Sequence, residues 1–158
     1  EPIETIYLGG GTPSQLAKED FEAIFSHIYK VYKVTPNAEI TLEANPDDLT
    51  SEYISMLRTF PFNRISMGIQ TFQETTLKQL QRRHTADQAI RAFQGCRTAG
   101  FQNISIDLMY GLPGETLTSW KKDLKQALSL HPEHISAYHL IYEEGTPLWK
   151  LREQHIIC

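Results

Sequence analysis

The chain has 158 residues, of which 41% are hydrophobic and 22% are charged. This composition is typical of a folded globular domain and excludes intrinsic disorder. The net charge of −4 at pH 7 argues against a sequence-independent nucleic-acid binder, which needs a basic surface to release counterions.

Five short apolar or β-branched segments recur along the chain, each followed by a turn and a helical stretch. The segments cover residues 5–9, 39–44, 64–70, 104–110 and 134–141. Their spacing is typical of repeated strand–helix units, which build a parallel sheet with outer helices. We therefore expect an α/β fold, with residues 1–158 as a single domain.

The stretches between these segments carry helix signals. Thr50 and Thr85 stand where N-caps are expected, and Gln88 completes a capping box with Thr85. Gly100 supplies a left-handed stop. Apolar residues at helical spacing predict two faces that pack on the sheet: Phe21, Ile24, Phe25, Ile28 and Tyr32 in the first, and Trp120, Leu124, Ala127 and Leu128 in the last.

Three of the predicted strands alternate apolar and polar residues. In a doubly wound sheet both faces are covered, so its strands are almost continuously apolar. Here Glu43, Gln70 and Asp107 fall on a polar face, each near the C-terminal end of its strand. A curved sheet with a polar inner wall is instead typical of an open or partial (β/α) barrel, whose chemistry lies at that end of the strands.

A glycine-rich segment, residues 9–14 (GGGTPS), follows the first predicted strand. Its backbone N–H groups would suit a carboxylate or phosphate, and its lack of side chains would let an ammonium-bearing ligand approach closely. The alternative is a tight turn from strand to helix. The segment is neither a Walker loop, since the Gly-Lys-Ser/Thr ending is missing, nor a good dinucleotide fingerprint, since Ser14 replaces the last glycine.

The polar residues at the strand ends also have two interpretations. Glu43 would accept hydrogen bonds from ribose or amine groups, or it would be a buried carboxylate paired with Arg64. Gln70 both donates and accepts, whereas ionised Asp107 only accepts. Each alone would be an ordinary polar residue of a barrel, but three of them on one rim favour a binding site.

Other segments have weaker signals. Residues 82–84 (RRH) would grip an anion or, as charge alone favours, form a solvated helix end. Residues 111–116 would shape the floor of a pocket or, as is favoured, form a turn. Two cysteines, Cys96 and Cys158, are too few for a disulfide framework or a four-ligand metal site, so no metal ligand is predicted. Cys96 lies on an apolar stripe and is expected to be an inert core thiol.

Location and partners follow from what the sequence lacks. No apolar run is long enough to cross a membrane, and no export signal is visible. With few cysteines, this favours a cytoplasmic protein without a membrane-spanning segment and without nucleic acid as a partner.

Taken together, these segments resemble the radical S-adenosylmethionine (SAM) family of oxygen-independent coproporphyrinogen III oxidases. The match runs in order over essentially the whole chain. Residues 139–147 (HLIYEEGTP) are more similar to the family's heme-chaperone branch, because the true oxidases lack the Glu-Glu-Gly-Thr ending. The matching segments are residues 6–14 (IYLGGGTPS), 43–46 (EANP), 64–72 (RISMGIQTF), 82–84 (RRH), 107–114 (DLMYGLPG) and 134–138 (HISAY).

The resemblance implies a six-stranded partial (β/α) barrel of which this chain holds strands two to six. It implies SAM and a [4Fe-4S] cluster as cofactors, whose Cys-x3-Cys-x2-Cys motif lies upstream of the glycine segment. Neither cysteine of this chain matches that motif, so we expect a piece of a longer protein that does not cleave SAM by itself. The unpaired edge of the first strand present here would then allow a dimer.

The resemblance also implies functions and partners for the whole protein. It would be a heme chaperone that binds and transfers heme, with a reductant protein and a heme-acceptor protein as partners. The alternatives are a true oxidase that decarboxylates coproporphyrinogen III and a non-catalytic barrel that binds a metabolite. An ordinary phosphate-binding barrel enzyme is a third.

The resemblance assigns cofactor contacts to eight residues. Glu43 would touch the first SAM molecule, and Ile141 would pack near an adenine through its backbone. The glycine segment would meet the methionine amino group or a second SAM molecule, and three further positions match those that hold this second molecule in the oxidases. These remaining residues are Gly10, Gly11 and Thr12 in the glycine segment, and Gln70, Arg82 and Asp107 on the rim.

Overall fold

The computed structural model describes residues 1–154. Among them, five parallel strands form one curled sheet in the order β1-β2-β3-β4-β5. Each strand pairs with its successor in the chain, as repeated strand–helix units require. This confirms the predicted α/β half-barrel. The strands are β1 (Ile3–Leu8), β2 (Val34–Ala44), β3 (Arg64–Gln70), β4 (Asn103–Tyr110) and β5 (His134–His139).

Helices connect the strands. The signals predicted at their ends are confirmed: Thr50 accepts a hydrogen bond from the Tyr53 N–H, Thr85 and Gln88 form a reciprocal capping box, and Gly100 has φ +95°. Two short helices, Glu74–Gln79 and Pro147–Glu153, were not predicted. The helices are α1 (Lys18–Val31), α2 (Ser51–Leu57), α3 (Glu74–Gln79), α4 (Ala86–Thr98), α5 (Leu117–Ser129) and α6 (Pro147–Glu153).

The apolar face of the sheet packs against the helices. Phe21 and Phe25 of α1 meet Phe62 at centroid distances of 5.3 and 5.2 Å, both edge to face. Aromatic pairs prefer this geometry because the positive ring edge meets the negative ring face. The sheet contributes fully buried side chains from its middle strands: Leu42, Ile65, Met67, Ile69, Ile104, Ile106 and Leu108.

For two residues of the predicted apolar helix faces, the prediction that they pack on the sheet is wrong. Tyr32 follows the end of α1 and is 54% exposed, and Leu128 of α5 is 62% exposed. On α5, Asp123 is buried instead of Leu128, although it is acidic: it is 1% exposed. An acid can occupy that face because polar groups of the loop after β3 meet its carboxylate.

Four of the five strands also differ from their predicted boundaries. β1 covers Ile3–Leu8 rather than residues 5–9, and β4 begins one residue early, at Asn103. β2 begins at Val34, earlier than predicted. β5 ends at His139, because its partner there, Tyr110, is the last residue of β4. The expectation that Ile141 belongs to this strand is therefore wrong: it lies beyond β5 and is 75% exposed.

The inner face of the sheet is polar, as predicted, and its central part is closed by buried side chains. Thr41 and Ser105, deeper on this face, are buried, and Arg64 donates to the Thr41 hydroxyl at 3.4 Å. A ligand therefore has access at the C-terminal ends of the strands. Within residues 1–154, no helix combines the length and apolarity needed to cross a membrane.

Candidate functional site

An open cavity of about 230 Å³ lies at the C-terminal ends of β2, β3, β4 and β5. Parallel strands all end at this edge, so side chains distant in sequence converge there. Of the predicted site residues, Gly10 lies in a neighbouring groove and Ile141 does not line the cavity. The other six line it: Gly11, Thr12, Glu43, Gln70, Arg82 and Asp107.

The glycine segment needs glycine for two reasons. Gly10 and Gly11 have φ +80° and +61°, a conformation that side chains disfavour, and open space surrounds the place where their Cβ atoms would be. At Gly9 a Cβ would lie 2.5 Å from the Tyr7 ring and 2.8 Å from the Glu43 carboxyl carbon. The segment therefore lets these two side chains cross directly over its backbone.

Glu43 is fixed from two sides. Its carboxylate accepts a hydrogen bond from the Tyr7 hydroxyl at 2.6 Å and from the Gly10 N–H at 3.0 Å. Burial and this carboxylate raise the pKa of Tyr7 to about 12, so the tyrosine stays a donor. The alternative of a buried Glu43 paired with Arg64 is wrong, because the carboxylate is partly exposed and turns toward Tyr7.

Asp107 is the second carboxylate of the cavity. The Ser66 hydroxyl lies 3.3 Å from both of its oxygens. Burial raises the pKa of this carboxyl above its ordinary value, and the nearby Glu43 charge acts in the same direction. Asp107 is thus an acceptor whose charge is incompletely compensated by the protein.

Arg82 is the cation of the cavity, and it is held through polar contacts. Its Nη2 donates to the Asn45 side chain and to the Gly68 carbonyl, both at 2.8 Å. Arg83 turns away and pairs with Asp47 at 2.8 Å and Asp48 at 3.0 Å. The favoured interpretation of this segment as a solvated helix end is therefore wrong.

His84 completes that segment and is buried. Its Nε2 lies 3.1 Å from the Ile69 carbonyl oxygen, which only accepts, so Nε2 carries the proton. Burial lowers the pKa of this imidazole below its ordinary value. Its Nδ1 is buried and has no hydrogen-bond partner among the described residues. The neutral ring therefore fastens the segment to the end of β3.

Gln70 ends β3 in an unusual conformation. Its φ is +71°, in the left-handed region that residues other than glycine rarely adopt. Its side-chain Oε1 accepts a hydrogen bond from the Tyr138 hydroxyl at 2.6 Å. Tyr138 was missed by the sequence reasoning, although it shares the inner face of β5 and lines the cavity. Extending the alternation argument to β5 would have identified it.

Two weaker candidates lie outside the cavity. Gly111 and Gly114 have φ +72° and +73°, and the Gly111 N–H donates to Glu115, which confirms a turn. Cys96 is fully buried, and burial raises the pKa of its thiol to about 12, as expected for a core thiol. Cys158 lies outside the described residues. Within residues 1–154, no cluster of three or more potential metal ligands is found.

Comparison with known proteins identifies relatives along the whole length of the sheet. A family model described as the Radical SAM superfamily matches residues 1–127. The heme chaperone HemW of Bacillus subtilis is 40% identical over 96% of this chain and 40% of its own length. HemW of Escherichia coli is 37% identical over 91% of this chain and 38% of its own length.

Comparison with solved structures also identifies a radical SAM enzyme. The coproporphyrinogen III oxidase HemN of Escherichia coli, a radical SAM enzyme, matches with a TM-score of 0.81 and 28% identity, over 89% of this chain and 32% of its own. The archaeal Elp3 of Methanocaldococcus infernus shares the fold, with a TM-score of 0.82 at 21% identity, over 99% of this chain and 42% of its own. The chain therefore spans about 40% of the length of its curated relatives.

The chain belongs to the radical SAM superfamily, because the family model covers most of its residues. Membership implies that the whole protein uses SAM and a [4Fe-4S] cluster.

Proposed function

We propose that this chain is the SAM-binding face of a radical SAM protein that handles heme, most similar in function to a heme chaperone. The observation that carries the proposal is the convergence of Glu43, Gln70, Arg82 and Asp107 on one cavity beside the glycine segment. In this proposal residues 1–158 are the central part of one partial-barrel domain, and the protein is cytoplasmic.

The donors and acceptors around the cavity fit the polar groups of SAM. Glu43 and Asp107 would accept hydrogen bonds from its ammonium group and ribose hydroxyls, and Arg82 would pair with its carboxylate. Gln70 would serve either kind of group. Gly10, Gly11 and Thr12 would let the methionine end approach their backbone. When bound and reduced, SAM supplies the radical chemistry of the superfamily.

We leave Ile141 as a proposed adenine contact through its backbone. Its 75% exposed side chain lies beyond the last strand, where an aromatic ring has room to approach.

The described residues do not fit a [4Fe-4S] cluster, since Cys96 is the one cysteine among them and is buried away from the cavity. The proposal therefore assigns no cluster ligand within residues 1–154.

The proposed cargo is heme, in line with the names of the relatives that are 37–40% identical to this chain. The matching oxidase structure is only 28% identical, so oxidative decarboxylation of a porphyrinogen is the second candidate. The partners we propose are heme or a porphyrinogen, a reductant protein and a heme-acceptor protein. A second copy of the chain would pair at the edge of β1 where no upstream strand covers that edge.

Calorimetric titration of the full-length protein with SAM tests the proposed site. We expect Glu43→Gln to weaken SAM binding by about tenfold, because the carboxylate loses its charge-assisted hydrogen bonds. Glu39→Gln is the matched control, since Glu39 is an exposed acid on the same strand, remote from the cavity. Equal affinities in the wild type and both variants would show that the carboxylate of Glu43 is structural and would contradict the proposed site, whereas no SAM binding in the wild type would favour a metabolite-binding barrel with another ligand.

A second experiment separates the two candidate functions of the whole protein. Hemin is titrated into the full-length protein and monitored by absorbance, and transfer to an apo-hemoprotein is then measured. In parallel, anaerobic reactions with coproporphyrinogen III are analysed for loss of carboxyl groups. Stable heme binding with transfer supports the chaperone, whereas decarboxylation without stable heme binding supports the oxidase.

A further inference from the structure

The end of β3 contains a strained turn at the edge of the cavity. The Thr71 N–H donates to the Ile69 carbonyl at 3.0 Å, which closes a three-residue γ-turn with Gln70 at its centre. With φ +71° at Gln70, this is the rare and strained form of the γ-turn. Strain of this kind persists only where the surrounding structure holds it in place.

The turn determines where the amide of Gln70 points. The pairing of β3 with β4 shifts register between Gly68 and Gln70, so the turn replaces the last regular step of the strand. The side chain then lies in the cavity beside Tyr138 and crosses Gly68, where a Cβ would be only 3.2 Å from its nitrogen. Relaxing the turn would move this amide.

One side of the turn is held by Asp123 of α5. Its buried carboxylate accepts hydrogen bonds from the Thr71 hydroxyl at 2.5 Å, the Phe72 N–H at 3.1 Å and the Gln73 side chain at 2.9 Å. These are the three residues that follow Gln70. A carboxylate with three donors in a buried place fixes them more firmly than neutral contacts would.

The other side of the turn is held by His84. Its Nε2–H donates to the Ile69 carbonyl, the same oxygen that receives the Thr71 N–H. The ring is buried, so solvent does not compete for this bond. Asp123 lies on α5 and His84 in the loop between α3 and α4, and they contact the turn from its two ends.

We propose that Asp123 and His84 are positioning residues that hold Gln70 in its strained turn and thereby aim its amide into the cavity. This inference rests on the proposed SAM site for its effect on binding, but its structural part can be tested without a ligand. Neither residue lines the cavity, so both act through Gln70.

Hydrogen exchange of the full-length protein, read by mass spectrometry, tests the structural part. In Asp123→Ala we expect the amides of residues 70–73 to exchange about tenfold faster or more, because the turn opens locally. Asp123→Asn keeps an acceptor for Phe72 and Gln73 and should retain most of the protection. Unchanged exchange in Asp123→Ala would overturn the proposal, whatever the protein binds. If that variant does not fold, Thr71→Ala removes one of the three donors instead.

A double-mutant cycle with SAM tests the functional part. Asp123→Ala alone should weaken SAM binding by about fivefold to a hundredfold, the range that corresponds to typical backbone strain. In a Gln70→Gly background the same change should have no effect, since the amide is gone and glycine needs no support. An equal loss in both backgrounds would overturn the claim that Asp123 acts through Gln70.

Asn63→Ala is the matched control for loss of stability. Asn63 bridges the Ala38 carbonyl and the Ile40 N–H at the opposite end of the sheet. It should lower stability without changing exchange at residues 70–73 or the SAM affinity. If the wild type binds no SAM, the proposed function fails, and the exchange measurement still decides whether Asp123 holds the turn.

Discussion

The two ends of the sheet use polar groups in opposite ways. At the N-terminal end, Asn63 and Glu133 are matched with partners: Asn63 bridges two backbone groups of β2, and Glu133 accepts from the Ile104 N–H at 2.8 Å and pairs with Arg97 at 2.7 Å. At the C-terminal end, Gln70 is strained and Asp107 accepts from the Ser66 hydroxyl. Among the described residues, no cation lies within 4 Å of Asp107.

This difference indicates a division of labour along the strands. In barrels of this kind the N-terminal end contributes stability and the C-terminal end carries function. Polar groups at the functional end lack some hydrogen-bond partners, and a bound ligand can supply them. Without the ligand, these unpaired groups lower the stability of the fold. The comparison therefore predicts opposite effects of substitutions at the two ends.

The largest effect on stability is expected from Asn63→Ala. The substitution leaves the Ala38 carbonyl and the Ile40 N–H without their partner, which should lower the free energy of unfolding by about 1–3 kcal/mol. Urea denaturation of the full-length protein measures it. SAM affinity should remain that of the wild type, and a parallel loss of affinity would break the comparison between the two ends.

Asp107→Asn should have the opposite pattern, with a smaller change in stability. Because burial raises the pKa of Asp107, its ionised form is less stable in the folded protein than in the unfolded chain. Wild-type stability then falls as the pH rises from the ordinary carboxyl pKa through the raised one. At neutral pH the neutral amide should raise the free energy of unfolding by about 1 kcal/mol.

The same variant should bind SAM about tenfold more weakly, since an amide is a poorer acceptor than a carboxylate. Thermal denaturation and calorimetry on one protein preparation give both numbers, with Glu39→Gln as the control for loss of an acidic charge. A variant that is both less stable and unchanged in affinity would show that Asp107 is an ordinary structural acid.

The sequence allowed most of this sheet and part of the rim to be predicted. Alternation with a period of two placed Glu43, Gln70 and Asp107 on one face, and parallel order brought their strand ends together. Arg82 was assigned to the site through the family resemblance, because charge alone favoured a solvated helix end and the loop that holds it has no such periodicity. Ile141 was placed in a strand because sequence pattern does not show where a neighbouring strand ends.

The supporting residues His84 and Asp123 were missed for a different reason. His84 follows two arginines and so looked solvated, yet the chain folds it onto the end of β3. Asp123 did carry a signal, since it interrupts an apolar helical stripe between Trp120 and Ala127. The left-handed turn at Gln70 carried none, because residues other than glycine adopt it only when tertiary contacts impose it.

The smallest effect is expected from Glu133→Gln, and it should depend on pH. Burial opposes ionisation of Glu133, but the Ile104 N–H and Arg97 outweigh it and lower the pKa of this carboxyl. A lowered pKa means that Glu133 stabilises the fold above the ordinary glutamate pKa and that this contribution is lost as the pH falls through the lowered value.

Stability of the full-length protein, measured by urea denaturation between pH 3 and neutrality, should therefore fall less steeply with acid in Glu133→Gln than in the wild type. At neutral pH the variant should be slightly less stable, because the solvent-screened pair with Arg97 contributes little. Its SAM affinity should not change. If the free energy of unfolding depends on pH identically in the wild type and the variant, the charge of Glu133 does not stabilise the N-terminal end. Of the two residues compared at this end, only Asn63 would then contribute to stability.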